Sequence, residues 1–381
     1  LGTAAPIAYV VCAVAMALIV MCFAEAGSRV SLTGGLYAYV ETAFGSFVGF
    51  LTGVLLWLGL VAAFAGVSIF LTDALAELVP ALRSRGARTA VVALVLPALA
   101  ALNVVGVRQA SAVNTVVTVA KLLPLLLLVA LGAAAVQGSN LAMESAPSAP
   151  RVAQGAAFVI FAFLGIEAAL VPSGEVRDPA RTVPRAIAIA MTVVTVLYLA
   201  VHVVTQGILG PALATSATPV ADAAGVGIGP WARTFILAGS ALSMLGYLSG
   251  MTLAVPRMLY AFARDGFLPA ALARVHPRFR TPHVAIVAQV AIVLVVALTG
   301  TFEQIVLMAN GAVLLAYAAC AAAAWQLRRL DVRGGGIPFR VPGGAVVPVL
   351  ALAVVAWMMT GLSVREWGAI GIVLVLAIVL Y

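Results

Sequence analysis

Charge is scarce in this chain. Asp, Glu, Lys and Arg together make up 9% of its 381 residues, where a soluble protein carries roughly a quarter. So few charges cannot cover a water-facing surface, and a soluble globular domain is excluded. Histidine is scarcer still: His202, His276 and His283 lie too far apart in the sequence to suggest a metal site or a triad. The cysteines, Cys12, Cys22 and Cys320, are odd in number, lack metal-ligand spacing and all fall in apolar stretches. Disulfides and zinc are both disfavoured by that pattern. No His, Cys or Ser constellation has catalytic spacing, so an intramembrane enzyme is the weakest of the functional classes. The first apolar run has no basic segment before it and does not read as a signal peptide.

What the chain does have is apolar sequence, 64% of it. A hydrocarbon core of about 30 Å takes about 20 such residues per helix. Reading for runs of that kind predicts an all-α polytopic membrane protein with eleven spans, at 4–24, 45–72, 89–106, 112–136, 153–172, 186–209, 232–256, 283–300, 303–326, 345–363 and 367–381. The net charge of +8 resides in short loops between these spans, which fits membrane orientation better than a nucleic-acid partner. Sorting alternate loops places fourteen arginines on one side, among them Arg29, Arg257, Arg274, Arg278, Arg280 and Arg328, and six on the other. The richer side is read as cytoplasmic. That orientation starts the chain outside the cell, and the last span, at about 22 Å, falls short of the core. The expectation is a fragment lacking at least one helix at the front and part of the tail.

Two spans carry residues that spanning does not require. In "FAFLGIEAAL", residues 161–170, Glu167 follows Gly165 in the middle of the membrane. A central acidic residue costs about 2.5–3.5 kcal/mol on insertion scales, and a glycine weakens the helix by about 1 kcal/mol. Broken transporter helices use this combination to free backbone groups for a substrate. The outer half would end at Phe163 or Leu164, offering carbonyls to an ammonium group. Glu167 would open the inner half, where the helix dipole favours negative charge. A kink cap without a role in turnover is the alternative. The second anomaly is Lys121, about 14 Å inside its span and three residues before Pro124. Burial makes it a candidate proton carrier or a fixed cation in place of sodium; a snorkelling or structurally paired lysine is the alternative.

Five segments then carry a resemblance: "FAEAGSRVSLTGGLYAYVETAFG" (23–45), "LNVVGVRQASAVNTVVTVAKLLPLL" (102–126), "FAFLGIEAALVPSGEVRDPARTVPRA" (161–186), "PRMLYAFARDGFLPAALARVHPRFRTPH" (256–283) and "IPFRVPG" (337–343). In this order and spacing the chain resembles the amino acid/polyamine/organocation family of secondary transporters, nearest its proton-coupled permeases and cationic amino acid transporters. The resemblance implies a LeuT-like inverted-repeat transporter fold. Residues 1–136 would be helices two to five of the first repeat, 137–327 helices six to ten of the second, and 328–381 a connector with helices eleven and twelve. It further implies that Phe161, Ala162, Phe163, Leu164, Gly165, Ile166 and Glu167 form the broken sixth helix at the substrate. Leu60, Ala63 and Met251 would line the pocket from helices three and eight, and Lys121 would serve proton coupling.

The chain departs from the family at "SRVSLTGG", where the usual proline before the Gly-Gly is replaced. The apolar Leu60, Ala63 and Met251 favour a neutral or broadly accepted side chain. Other features have structural readings. Residues 33–45 are expected to form an amphipathic surface helix, and 173–186 a charged connector using Glu175 and Asp178. Gly266 is expected to stop a short inner helix, 210–230 to be an outer loop or lid, and the five tryptophans to act mainly as interface anchors. The function expected is amino acid transport across the plasma membrane by proton-coupled symport, with an amino acid substrate, protons as the coupling ion and the lipid bilayer as partners, and with no cofactor and no nucleic acid. An exchanger of amino acid for amine and a non-transporting membrane subunit are the alternatives.

Overall fold

A computed structural model describes residues 2–30, 35–105, 110–143, 146–167, 179–299, 302–334 and 338–381. Side chains are described for these except 110–120, 179–181, 183–184, 302–309 and 380. The helices are α1 (Ala5–Arg29), α2 (Leu36–Phe44), α3 (Ser46–Leu78), α4 (Arg85–Val105), α5 (Ala110–Gly132), α6 (Ala149–Val159), α7 (Pro179–Leu209), α8 (Pro219–Gly227), α9 (Pro230–Ala254), α10 (Pro256–Arg264), α11 (His283–Thr299), α12 (Phe302–Arg329), α13 (Val346–Met359) and α14 (Val364–Leu380). No strand occurs among the described residues. The molecule is an all-α polytopic membrane protein, and a helix stands in each of the eleven predicted spans.

Among the described residues, six helical stretches are long and apolar enough to cross a membrane unaided. Where helices break, the cause is local. The last two, α13 and α14, turn through 118°, because Ser363 and Glu366 form a capping box that starts a new helix. Each side chain there bonds the other's backbone N–H, satisfying donors that a helix start leaves open. Earlier in the chain, α9 passes into α10 at Pro256, which cannot donate the helical hydrogen bond and begins the second helix instead. Gly266 stops α10 as expected, with φ +90°.

The centre of the bundle is α3 against α12. Two thirds (67%) of the most apolar stretch of each is buried, against 11% for α7. A helix that is apolar on every side belongs inside, and α3 packs against α2, α9, α11 and α12. Tight approach matters between α5 and α9, where a Cβ on Gly239 would fall 2.3 Å from Pro124. The Pro124 ring thus rests against the bare backbone of Gly239.

Two expectations need correction here. The helix over 33–45 begins at Leu36 and does not lie on the surface. Leu36, Tyr37, Ala38, Tyr39, Val40 and Ala43 are all buried, because α2 is wedged among α1, α3 and α12. Trp57 is not an interface anchor either. It sits well inside α3 and donates Nε1–H to Oε1 of the buried Gln289 on α11, at 2.7 Å. The segment 173–178, with Glu175 and Asp178, and the residues Ser31, Leu32 and Thr33 lie outside the described residues.

Ion pairs tie both ends of the bundle. At the expected outer end, Arg233 on α9 bonds Asp222 on α8 at 3.0 Å and Glu77 on α3 at 3.1 Å. The stretch 210–230 is therefore pinned, with Ser216 and Thr218 also donating to Asp222. Burial alone would raise the Asp222 carboxyl, but the hydrogen bonds from Ser216, Arg233 and Thr218 outweigh it and hold the group below the ordinary carboxylate range. At the inner end, Glu25 of α1 is 1% exposed and accepts from Arg29 at 3.1 Å and from Arg328 of α12. It also accepts from the backbone N–H of Val341 at 3.1 Å, while Ser28 Oγ accepts from that of Phe339 at 2.9 Å. The motifs "FAEAGSR" and "IPFRVPG", more than 300 residues apart, thus form one clamp.

Candidate functional site

The fifth predicted span breaks where its sequence predicts. From Ala149 the chain is α-helical to Val159, tightens into a 3-10 turn over Ile160–Phe163, and becomes extended at Leu164 with ψ 141°. Fifteen residues of helix reach about 22 Å, well short of the membrane core. Gly165 follows with φ +111°, a region that costs an L-residue its Cβ clearance and that glycine enters freely. Tight turning over residues 164–167 brings the Gly165 N–H to Oε1 of Glu167 at 3.0 Å.

Glu167 is fully buried, and its other oxygen accepts from the Tyr317 hydroxyl on α12 at 2.6 Å. Tyr317 is itself 0% exposed and meets the Phe23 ring edge-on, at 5.2 Å between centroids. Seven residues earlier on α12, Asn310 donates Nδ2–H to the carbonyl of Ala157 at 3.0 Å. One helix therefore grips the broken one on both sides of the break. Asn310 Oδ1 is left buried without a partner among the described residues. Two of the carbonyls expected to face a substrate already have partners: Tyr198 of α7 donates to Ala162 at 3.0 Å, and the Leu164 N–H to Phe161 at 3.3 Å. A carbonyl has two lone pairs, so an ammonium group can share or displace either donor.

Among the other expected residues, Met251 on α9 comes within reach. A Cβ on Gly165 would sit 3.4 Å from its Cε and 3.9 Å from Tyr247. Leu60 is buried in the same apolar core as Phe163 and Met251, with Leu164 and Ile166 packed against it. Ala63 is buried one turn further along α3. Lys121 is half-buried on α5 and forms no hydrogen bond or ion pair with a described residue, so the structure does not join it to the break. The part of the span beyond Glu167 lies outside the described residues.

A cleft leads to the break. Three adjoining cavities between α1, α6 and α7 share His202 and measure about 1040, 570 and 220 Å³. The polar side chains of Arg151, Asn140 and Gln206 line the widest; the smallest reaches Tyr198 and Ala162. Between them the Tyr9 and His202 rings meet at 4.8 Å, tilted by 41°.

The residues that hold the break, Tyr317, Asn310 and Tyr198, are absent from the sequence reading. A signal existed: Asn310 and Tyr317 stand seven residues apart, hence on one helix face, in an otherwise apolar stretch. Periodicity alone does not say which neighbour that face meets.

The conformation of Gly165 allows a direct test. Gly165→Ala leaves ordinary contact distances but forces a side chain into φ +111°, at a cost of about 1–3 kcal/mol. Thermal unfolding in detergent should fall accordingly; an unchanged midpoint would show that the turn is not held as described.

Comparison with known proteins gives a consistent picture. The sequence profile of the amino acid permease family matches residues 1–380. An uncharacterised transporter of Mycobacterium tuberculosis is 38% identical over 175 residues, 46% of this chain and 40% of that protein. The methylthioribose transporter of Bacillus subtilis is 27% identical over 398 residues, covering 97% of this chain and 84% of that one. The branched-chain amino acid permease BcaP of the same organism is 27% identical over 224 residues, 56% of this chain and 46% of its own length. The match thus spans less than half of the mycobacterial protein and of BcaP.

Proposed function

The chain belongs to the amino acid permease family, and from that premise we propose that it transports amino acids across the plasma membrane by alternating access, as a proton-driven symporter. Membership of a permease family, with relatives named as transporters, places it among transporters rather than enzymes. The observation that carries the reading is the helix broken at Gly165, with Glu167 buried beside it and tied to Tyr317. Non-helical backbone at membrane depth is tolerated only where it is buried in protein or lines a water-filled cavity, and the break stands beside such a cavity at Ala162 and Tyr198.

In this reading the substrate's amino group takes the carbonyls of Phe161 to Leu164, reached along the cleft past Arg151 and His202. Phe161 closes over it. Glu167 couples occupancy to gating through Tyr317, whose hydroxyl must move if the break straightens or opens. The apolar Leu60 and Met251, with Ala63, favour a neutral side chain, which agrees with the substrate named for the branched-chain relative. Residues 1–136 and 137–327 act as the two inverted repeats, which rock against each other around the site.

Lys121 would link the repeats in a protonation-dependent way. Lys121→Ala is expected to reduce gradient-driven uptake at least tenfold while leaving exchange of preloaded substrate; proton-driven uptake that survives the change removes this role.

The whole reading is tested by uptake of labelled amino acids, and of methylthioribose, into sodium-free proteoliposomes with and without an inward proton gradient. Accumulation that requires the gradient supports symport and identifies the substrate. Uptake only into vesicles preloaded with amino acid or amine supports an exchanger instead. Absence of any uptake across the panel would leave the family premise standing and remove the substrate class.

A further inference from the structure

We infer that the inner-side junction of α4 and α11 is a binding site for an anionic phospholipid, one acyl chain lying in an apolar groove and the phosphate resting on Arg274, Arg278 and Arg280. The groove, of about 440 Å³, lies between the last turns of α4 and the first turns of α11. Pro97, Ala101, Val105, Val287, Val290 and Leu294 line it. It faces outward, since Val105 and Val287 are 59% and 58% exposed. From Pro97 to Val105 it runs about 12 Å along the helix, most of one leaflet of a core about 30 Å thick.

At the mouth of this groove stands a loop whose shape is built, not slack. His276 accepts the backbone N–H groups of Arg278 at 3.2 Å and Phe279 at 3.3 Å on Nδ1. Its own N–H bonds the Thr281 carbonyl at 2.8 Å, and the Arg280 N–H bonds its carbonyl at 2.9 Å. The Thr281 hydroxyl donates to the carbonyl of Val104 at 2.8 Å, one of the acceptors that every helix C-terminus leaves open. The loop is thereby fastened to the groove's own lining. Arg280 is held at φ +56°, an uncommon conformation for a side-chain-bearing residue.

All three arginines are exposed, and none pairs with a described carboxylate. Orientation in the membrane explains why arginines are on this side, but orientation requires neither a fixed loop nor an apolar groove continuous with it. Three cations without a carboxylate, next to a loop bonded to the lining of an acyl-sized groove, complement one ligand, a lipid that is apolar at one end and negative at the other. Basic residues near anionic headgroups each contribute about fivefold in affinity.

The test is native mass spectrometry of the purified full chain in detergent, with phosphatidylglycerol and phosphatidylcholine of matched acyl chains in equal amounts. The expected result is preferential retention of phosphatidylglycerol. R274Q/R278Q/R280Q should lower that preference by at least tenfold, the triple lysine variant should keep most of it, and A101W should reduce retention of both lipids. Equal retention of the two lipids by the native chain would overturn the inference, as would an undiminished preference in the glutamine variant. Soluble glycerol phosphate competing as well as the lipid would remove the groove's part. So would A101W dissolving a dimer while leaving lipid retention unchanged, which would make this face a contact between copies.

Discussion

Glu25→Ala is expected to cost about 3–5 kcal/mol of stability, because it breaks a buried ion network by removing its shared partner. Arg29 is 1% exposed and has Glu25 as its carboxylate partner; Arg328 and the Val341 N–H turn to the same group. Without it, buried positive charge remains with nothing opposite, and two arginines repel across the gap. The cost is therefore larger than the net worth of the network itself, since an apolar replacement of all three partners can be nearly neutral. Glu25→Gln should be intermediate, as the amide oxygen still accepts one bond. The measurement is thermal unfolding in detergent, together with the fraction of protein that remains monodisperse. An alanine variant that melts with the native protein would mean that the clamp contributes nothing. Its loss should also free the segment around Phe339 and Val341, whose N–H groups depend on Ser28 and Glu25, and make it more susceptible to protease.

Glu167 should separate stability from transport. Glu167→Ala strands the Tyr317 hydroxyl and the Gly165 N–H inside the protein, at about 1–3 kcal/mol for each unsatisfied group. A cavity adds to that, so both folding and uptake are expected to fall. Glu167→Gln keeps the shape and an acceptor for Gly165, and a tyrosine hydroxyl can accept from the amide as readily as donate. The glutamine variant is therefore expected to fold with near-native stability but lose at least tenfold in uptake rate. Removing the partner by Tyr317→Phe should lower uptake with a smaller loss of stability, since Glu167 retains its bond to Gly165. Near-native uptake in the glutamine variant would reduce Glu167 to a cap on the kink, the alternative that the sequence also allows.

These two carboxylates illustrate where reading the sequence stops. Glu167 was conspicuous because it interrupts an apolar run next to a glycine, and a mid-membrane charge has few innocent explanations. Glu25 was not, because it lies near the end of its span, where a charge can be expected to reach water. In the folded chain the opposite holds: that end is covered by Arg328 and by the segment after α12, so the carboxylate is as buried as any core residue. The same cause underlies the misplacement of α2 and Trp57. An amphipathic pattern or a tryptophan says that a residue tolerates an interface, and protein packing supplies an interface as well as lipid does.

What the sequence by itself determined was the class, the eleven apolar segments, the place of the break and the stop at Gly266. Each of these follows from local chemistry: hydrophobic length against membrane thickness, and glycine's access to φ values closed to other residues. Only the tertiary structure decided that Tyr317 and Asn310 grip the broken helix, that "FAEAGSR" and "IPFRVPG" share one ion network, and that the 276–283 loop is fastened to Val104. All three join residues 150 or more positions apart in the chain. Such pairings depend on which helix faces which, and every apolar helix in a membrane presents its neighbours with nearly the same surface.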